Sequence, residues 1–327
     1  MSNYLLKGIK ILIGPASFGA EDQRSLNRLK DAGFEIIQNS YKRRFTKEEL
    51  LKFLTDDVPG LIAGLETLDR EVLEKTNLKV ISRCGAGISN IDLQAAKELD
   101  IKVCYTPFGP TTAVAELTMA ALLSLLRSMH IMIDSFHQGK WARITGYQLE
   151  GKTVAIIGFG RIGRKLATLL VPFGVKIIAV DTVVGEKVEG VRFCSLKEAL
   201  SEADIVSIHV SGSEELIGKN EFRLIKKGVF LLNAARGEVI NEDSLIEALE
   251  SGKIKGAWLD VFAQEPYTGR LQRYPQVLLT PHVGSFTVEG RAKMEMETVN
   301  NLITVFKEKD MITLKAKGGY YLWKKMP

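Results

Sequence analysis

Short runs of aliphatic and β-branched residues recur along the chain, each followed by a longer stretch in which apolar residues fall three and four apart. Continuous apolar runs suit strands buried on both faces, and the longer period suits the helices that cover them. The first third holds KILIG (Lys10 to Gly14), FEIIQ (Phe34 to Gln38), GLIAG (Gly60 to Gly64), KVISRCG (Lys79 to Gly85) and KVCYTP (Lys102 to Pro107). Between the last two, DLQAAKELD predicts a helix over Asp92 to Asp100 with Leu93, Ala96 and Leu99 on one face. A second series, TVAIIGFG, KIIAVD, IVSIHV, VFLLNAA, GAWLDVF and VLLTPH, follows a long apolar helix expected over Thr112 to His137. Strand and helix in alternation predict an α/β chain of two Rossmann-like domains, each a doubly wound parallel sheet. No Pro- or Ser-rich linker divides the two series, so the joints are expected in the helices at Thr112 to His137 and Thr287 to Lys307. If the last helix returns to the first domain, the domains are 1–107 with 293–327, and 108–292.

Composition is compatible with this. At 327 residues and 46% hydrophobic, the chain can build two ordinary cores, since single cores stop growing near about 250 residues. The net charge of +5 comes from 44 basic and 39 acidic residues mixed along the chain, so nucleic acid is not an expected partner. Only the C-terminal LKAKGGYYLWKKMP interleaves Lys315, Lys317, Lys324 and Lys325 with Tyr320, Tyr321 and Trp323. That stretch reads as a tail packed on its own domain or on a partner subunit in preference to a single-strand-binding stripe. Cys84, Cys104 and Cys194 are odd in number and scattered, which suggests neither a disulfide framework nor a zinc site and fits a reducing cytoplasm. No metal centre is expected. Met1 to Lys10 has no secretory pattern, and Val114 to Leu126 contains Glu116 and falls short of the ~20 residues that cross a bilayer; no membrane span is expected.

In VAIIGFGRIGRKLATLL, Gly158, Gly160 and Gly163 form G-x-G-x-x-G between an apolar strand and an amphipathic helix. The first glycine permits the tight turn, the second lets backbone approach a pyrophosphate, and the third allows close helix packing, with the helix N-terminus facing the phosphates. Arg161 adds a positive group at that mouth. The next strand ends in Asp181, about 18 positions beyond Gly163, where the fingerprint expects an acid to take the ribose hydroxyls. The acid repels a 2'-phosphate, and Thr182, Val183 and Val184 offer no cation to hold one, so NAD is expected in preference to NADP. His209, at the end of IVSIHV, is expected near the same cofactor.

Three polar residues follow later strands, where open α/β sheets bind ligands: Arg236 in NAARGEVIN, Glu265 in LDVFAQEP and His282 in LLTPHVGS. Hydride transfer at a carbon bearing a hydroxyl needs a proton donor or acceptor at the oxygen, and histidine is poised for that near neutral pH. Glu265 is placed to orient the imidazole and favour its charged form. Arg236 is placed to fork onto a substrate carboxylate. His130 and His137 fall on the helical connector and rank below His282.

The motifs CGAGISNID (Cys84 to Asp92), TTAVAELTMAALLSLLR (Thr111 to Arg127), LEGKTVAIIGFGRIGRKLA (Leu149 to Ala167), LLNAARGEVINEDSLIEALESGKIKGAWLDVFAQEP (Leu231 to Pro266) and LLTPHVGSFT (Leu278 to Thr287) span nearly the whole chain. With them the sequence resembles the D-isomer-specific 2-hydroxyacid dehydrogenases, and within them the phosphoglycerate dehydrogenase branch. The resemblance implies a substrate cleft between two Rossmann-like domains and a homodimer built largely on the cofactor domains. It implies that Arg236, Glu265 and His282 are the catalytic triad of an NAD-dependent oxidoreductase acting on a 2-hydroxy or 2-oxo acid. The residues matching Gly85, Ala86 and Gly87 present backbone N–H groups to the substrate carboxylate, and the one matching Arg83 contacts a substrate phosphate. Arg161, Ile162, Asp181, Ala234, Asp260 and Gly284 match cofactor contacts.

The departures fall where substrate and cofactor are adjusted. The shorter VSGSEELIG follows His209 in place of a proline and a longer polar turn, and Ser89 stands where Asp is frequent. Gly64 replaces a second phosphate-binding Arg of some phosphoglycerate dehydrogenases, so Arg83 speaks for a phosphorylated substrate such as 3-phosphoglycerate and Gly64 against it. No effector domain is expected after Lys307. The alternative reading is an NAD-sensing corepressor or scaffold of the same fold. A formate-type enzyme is disfavoured, because those relatives pair the histidine with Gln where this chain has Glu265.

Overall fold

A computed structural model describes residues 6–183 and 188–307; Val184 and the C-terminal basic and aromatic stretch lie outside these residues. The chain divides into two compact units, one built from the residues up to Pro110 together with those from Ser285 onward, the other from Thr111 to Gly284. Both divisions fall ahead of helices, so each helix goes whole into one unit; the expected cut at 292/293 would pass through a helix.

In the first unit the strands are β1 (Lys10–Ile13), β2 (Glu35–Gln38), β3 (Gly60–Ala63), β4 (Val80–Arg83) and β5 (Lys102–Tyr105), and the intervening helices α1 (Arg24–Asp31), α2 (Lys47–Phe53), α3 (Arg70–Glu74) and α4 (Leu93–Glu98). The sheet is parallel throughout, in the order β2-β1-β3-β4-β5, with Leu12 opposite Leu61 and Ser82 opposite Cys104. Three of these helices start where the sequence supplies a cap: Thr46 and Glu49 form a capping box on α2, Asp69 accepts the Val72 N–H at 3.0 Å, and Asp92 accepts that of Ala95 at 2.8 Å. Such a cap contributes about 1 kcal/mol. On α4 the buried residues are Ala95 and Ala96, and Leu99 is exposed; the helix is too short to turn the whole expected stripe inward. The C-terminal helix, Val288–Lys307, returns to this unit, where Met294, Val299, Leu302 and Ile303 join a core with Ile11, Ile13 and Val80. The Ser82 hydroxyl donates to the Thr298 carbonyl at 2.8 Å, and Glu295, paired with Arg291, accepts the Gly19 N–H at 2.9 Å.

In the second unit the strands are β6 (Thr153–Ile157), β7 (Lys176–Val180), β8 (Val191–Phe193), β9 (Ile205–Ile208), β10 (Val229–Asn233), β11 (Ile254–Leu259) and β12 (Val277–Leu279). They form one parallel sheet in the order β12-β11-β10-β9-β6-β7-β8. Its helices are α5 (Thr111–Leu126), α6 (Met129–His137), α7 (Arg161–Leu170), α8 (Leu196–Glu202), α9 (Lys219–Leu224) and α10 (Glu242–Glu250), which makes the C-terminal helix of the first unit α11. Successive side chains of β6 point to opposite faces, Ala155 and Ile157 into one core, Val154 and Ile156 into another that holds Trp258 and the inner face of α5. The single helix expected over Thr112 to His137 is two, because Ser128 adopts φ +50° and the chain bends by 70° between α5 and α6. Among the described residues no single helix is long and apolar enough to cross a membrane.

Candidate active site

The glycine loop of the second unit joins β6 to α7. Gly158 has φ +90°, and a Cβ there would stand 2.6 Å from the carbonyl carbon of His209. At Gly163 a Cβ would collide with the Gly158 oxygen, so α7 approaches the loop closely only because that side chain is missing. Above Gly160 nothing lies within 4 Å, and Gly160 caps α7 without a side-chain hydrogen bond. The first amides of α7 thus open onto a cradle that a Cβ would fill. Arg161 is exposed at its mouth and Ile162 half-buried behind it. The carboxylate of Asp181, at the end of β7, accepts the Phe159 N–H at 2.7 Å and the Val183 N–H at 3.0 Å. It therefore holds the glycine loop in shape, and each oxygen keeps a lone pair for a ribose hydroxyl. His209 bonds Ser207 Oγ through Nε2 at 2.8 Å, its buried Nδ1 has no hydrogen-bond partner among the described residues, and desolvation lowers its pKa to about 4. A neutral imidazole with one unsatisfied buried nitrogen beside an open glycine cradle fits a dinucleotide.

Arg236, Glu265 and His282 follow β10, β11 and β12, three consecutive neighbours in the sheet, so strand order alone sets the three loops side by side. Arg236 is half-buried and its Nη1 donates to the Ala235 carbonyl at 2.6 Å. Fully buried Asn233 shapes its turn, donating to the Arg236 carbonyl at 2.8 Å and accepting the Ala235 N–H at 3.0 Å. Ala234, half-buried, donates its own N–H to Ile208 across the sheet. After Arg236, a Cβ on Gly237 would collide with the Phe262 carbonyl carbon, so only glycine lets this turn meet the one that leads to Glu265.

His282 Nδ1 lies 2.9 Å from Glu265 Oε2 and 3.1 Å from Oε1, while Oε1 also accepts the Phe262 N–H at 3.2 Å. The imidazole is held at one nitrogen, and Nε2 is the one turned away from the carboxylate. His282 is one of few non-glycine residues at positive φ, +53°. That backbone is sustained by Asp260, whose buried carboxylate accepts the Thr280 hydroxyl at 2.6 Å and the Val283 and Gly284 N–H groups at 2.9 and 2.7 Å. Trp258 Nε1 donates to Thr280 Oγ1 at 3.0 Å behind it. Burial pushes the Asp260 pKa up and these hydrogen bonds oppose the shift. Where a cofactor contact is expected, the Asp260 side chain and the Gly284 amide are thus bonded to each other and build the His282 turn.

In the first unit Arg83 is buried at the end of β4, with Nη1 donating to the Cys84 carbonyl. A Cβ on Gly85 would collide with that Nη1, which explains the glycine. The Gly85 N–H donates to Thr106 Oγ1 at 2.7 Å. Among the described residues no hydrogen bond occupies the amides of Ala86 or Gly87, and these remain the candidates for a carboxylate. Asn233, Gly237, Thr280 and Gly85's partner Thr106 were not singled out by motif; Asn and Gly flanking the arginine in NAARG are the one signal for them.

Residues 119–284 match the NAD binding domain of the D-isomer specific 2-hydroxyacid dehydrogenases. The chain belongs to this family. A hydroxypyruvate reductase of Thermotoga maritima is 36% identical over 272 residues, covering 80% of this chain and 88% of that protein. D-3-phosphoglycerate dehydrogenase of Homo sapiens is 34% identical over 293 residues, 86% of this chain, but the chain spans only 54% of its length. Among solved structures, a protein of Thermus thermophilus superposes with a TM-score of 0.82 at 33% identity, covering 90% of this chain and 96% of that one. As a 2-hydroxyacid dehydrogenase the chain is an NAD-dependent oxidoreductase, and the open cradle at Gly160 and the acceptor oxygens of Asp181 are compatible with that cofactor.

Proposed function

We propose that this 2-hydroxyacid dehydrogenase reduces a small 2-oxo acid, and runs the reverse reaction, with His282, Glu265 and Arg236 as its catalytic residues. The observation that carries the reading is the 2.9 Å contact between His282 Nδ1 and Glu265. With Nδ1 bonded to Glu265, Nε2 is the nitrogen left to exchange a proton with the carbonyl oxygen as it becomes a hydroxyl. NADH, when bound, supplies the hydride. Arg236 forks onto the substrate carboxylate and draws charge from the adjacent carbonyl. The amides of Ala86 and Gly87, in the first unit, are proposed as carboxylate-binding groups. In the oxidative direction His282 takes the proton back.

The test follows NADH absorbance with glyoxylate, hydroxypyruvate and 3-phosphohydroxypyruvate. His282→Ala is expected to lose on the order of a hundredfold or more in kcat. Unchanged turnover would remove His282 from the chemistry and leave the binding-protein reading in its place.

Two copies of the chain are proposed to associate through α6, since none of its side chains is buried and Met129, Ile133, Phe136 and Trp141 expose 45%, 52%, 63% and 75% of their surface. A contiguous apolar surface of this kind is a mark of association. Phe136→Glu should convert a sedimenting dimer to a monomer; a wild-type monomer would end the idea. A cytoplasmic location is supported by Cys84, Cys104 and Cys194, all free. Neither nucleic acid nor a membrane is a proposed partner, because acids are interleaved with the basic residues.

A further inference from the structure

Tyr267 stands outside the triad but is tied to it through the loop that carries Glu265. Its ring stacks on that of Phe262, with centroids 4.3 Å apart and planes inclined by 21°, and the Phe262 N–H donates to Glu265 Oε1 at 3.2 Å. At its far end the Tyr267 hydroxyl donates to Glu242 Oε1 at 2.8 Å and accepts the Leu271 N–H at 3.1 Å. Burial pushes the Tyr267 pKa up to about 12, so the hydroxyl keeps the proton it donates. Glu242 is the first residue of α10, and the adjacent Asp243 pairs with Arg270 of the same loop. A Cβ on Gly269 would collide with the Tyr267 ring and its oxygen, so the loop folds back over the ring only because that side chain is missing.

Between β11 and the 3-10 turn Arg270–Arg273 the chain has no regular secondary structure. No strand ladder or helix holds Glu265, so contacts made by the side chains of its own loop have to fix where the carboxylate lies. A stacked aromatic pair restrains both rings through area and ring electrostatics, and a hydroxyl bonded to a carboxylate restrains the ring that bears it. Tyr267 joins these two restraints in one side chain. Arg236 has a brace of its own in Asn233, so displacing Tyr267 acts first on Glu265.

We propose that Tyr267 is a positioning residue: docked on Glu242 and stacked on Phe262, it fixes the loop so that the Glu265 carboxylate meets His282 Nδ1. This rests on the reading above, in which His282 and Glu265 carry the proton exchange. Tyr267 acts on the reaction through Glu265. Without the ring the imidazole loses its fixed direction, and misplacement of a reacting group slows the chemical step more than it weakens binding. The loss should therefore fall on kcat.

The test follows NADH oxidation in the full chain with whichever of glyoxylate, hydroxypyruvate and 3-phosphohydroxypyruvate is turned over fastest. Tyr267→Leu, Tyr267→Phe and Glu242→Ala are each compared alone and together with Glu265→Ala, with thermal melts to identify the folded variants. Tyr267→Leu removes stack and hydroxyl and should lower kcat about tenfold or more, while KM for the 2-oxo acid changes by less than about threefold. Tyr267→Phe keeps the stack and should stay within about threefold of the wild type. Beside Glu265→Ala, Tyr267→Leu should cost less than about twofold, because the group it positions is gone; a merely structural role has the same cost in both backgrounds. A folded Tyr267→Leu with unchanged kcat, a change in KM alone, no recovery with Phe, or a cost that persists without Glu265 would each overturn the proposal. Should Tyr267→Leu fail to fold, Glu242→Ala decides, since it takes away the acceptor and leaves both rings: kcat should fall about threefold beside Glu265 and not at all without it. Glu265→Ala with intact turnover, or no NADH oxidation with any of the three acids, strikes the underlying function as well; a large loss in Glu265→Ala with an additive Tyr267→Leu strikes Tyr267 alone.

Discussion

Asp260 accepts the backbone N–H of Gly284 at 2.7 Å, and this bond closes the turn that holds His282 at φ +53°. A second amide and a hydroxyl share the same carboxylate. Asp260→Ala leaves three donors unpaired, the buried Gly284 amide and the half-buried Thr280 hydroxyl and Val283 amide, and losing a buried partner costs about 1–3 kcal/mol before relaxation. We expect a loss of several kcal/mol in denaturant unfolding and a kcat lowered by about tenfold or more in what still folds, because His282 loses its backbone support. Native stability would show that the turn stands without the clamp.

Asn233 has the corresponding role for Arg236. Its side chain bonds backbone on both sides of that residue's turn, and Asn233→Ala removes both bonds without touching the guanidinium. The expected signature is a KM for the 2-oxo acid raised about tenfold with a smaller change in kcat, together with about 1–3 kcal/mol of lost stability. A fall in kcat alone at constant KM would contradict a role in placing the carboxylate-binding group.

The pH profile of stability should carry a His209 component. Desolvation lowers its pKa from 6.5 to about 4 in the folded chain, so between those values the unfolded state binds more protons and stability rises with pH. The contribution is present above about 6.5 and is lost as pH falls toward 4, amounting to at most about 3 kcal/mol. His209→Gln should flatten Tm across that window in protein without added cofactor. The buried acids Asp260 and Glu66 act oppositely: their raised values mean that stability declines as pH climbs from the unfolded carboxylate range through the folded one.

Asp181 is expected to set the preference between the two nicotinamide cofactors. Asp181→Ala removes the charge that disfavours a 2'-phosphate and also releases the Phe159 and Val183 amides. The ratio of kcat/KM for NADPH over NADH should rise by about tenfold, chiefly because NADH is held less well. An unchanged ratio would mean that the ribose is recognised elsewhere.

Much of this was readable from the chain because both sheets are parallel and buried, which writes their strands as unbroken apolar runs, and because the glycine spacing reports backbone geometry directly. Arg236, Glu265 and His282 could be named since each follows a strand whose sheet position is fixed by neighbours. Other features depend on contacts far apart in sequence. β8 is three residues long with no periodicity, and Ser128 gives no local sign that it breaks a helix. The motif around Asp260 gives no sign that its carboxylate bonds Thr280, Val283 and Gly284, partners some twenty residues away. Glu66 looks like an ordinary loop acid, and only the folding of Gly14 and Gly64 around it makes it an interior group.

The return of α11 to the first unit has a consequence for how the protein is made. Residues 111–284 form a contiguous unit that can close its core as soon as they emerge from the ribosome, since domains generally fold as units during synthesis. The earlier-synthesised unit has to wait. Its core includes Met294, Val299, Leu302 and Ile303, so Ile11, Ile13 and Val80 stay without that covering until nearly the whole described chain has been translated. The portion made first is thus completed last, and its uncovered strands are the segment of the nascent protein most in need of chaperone protection.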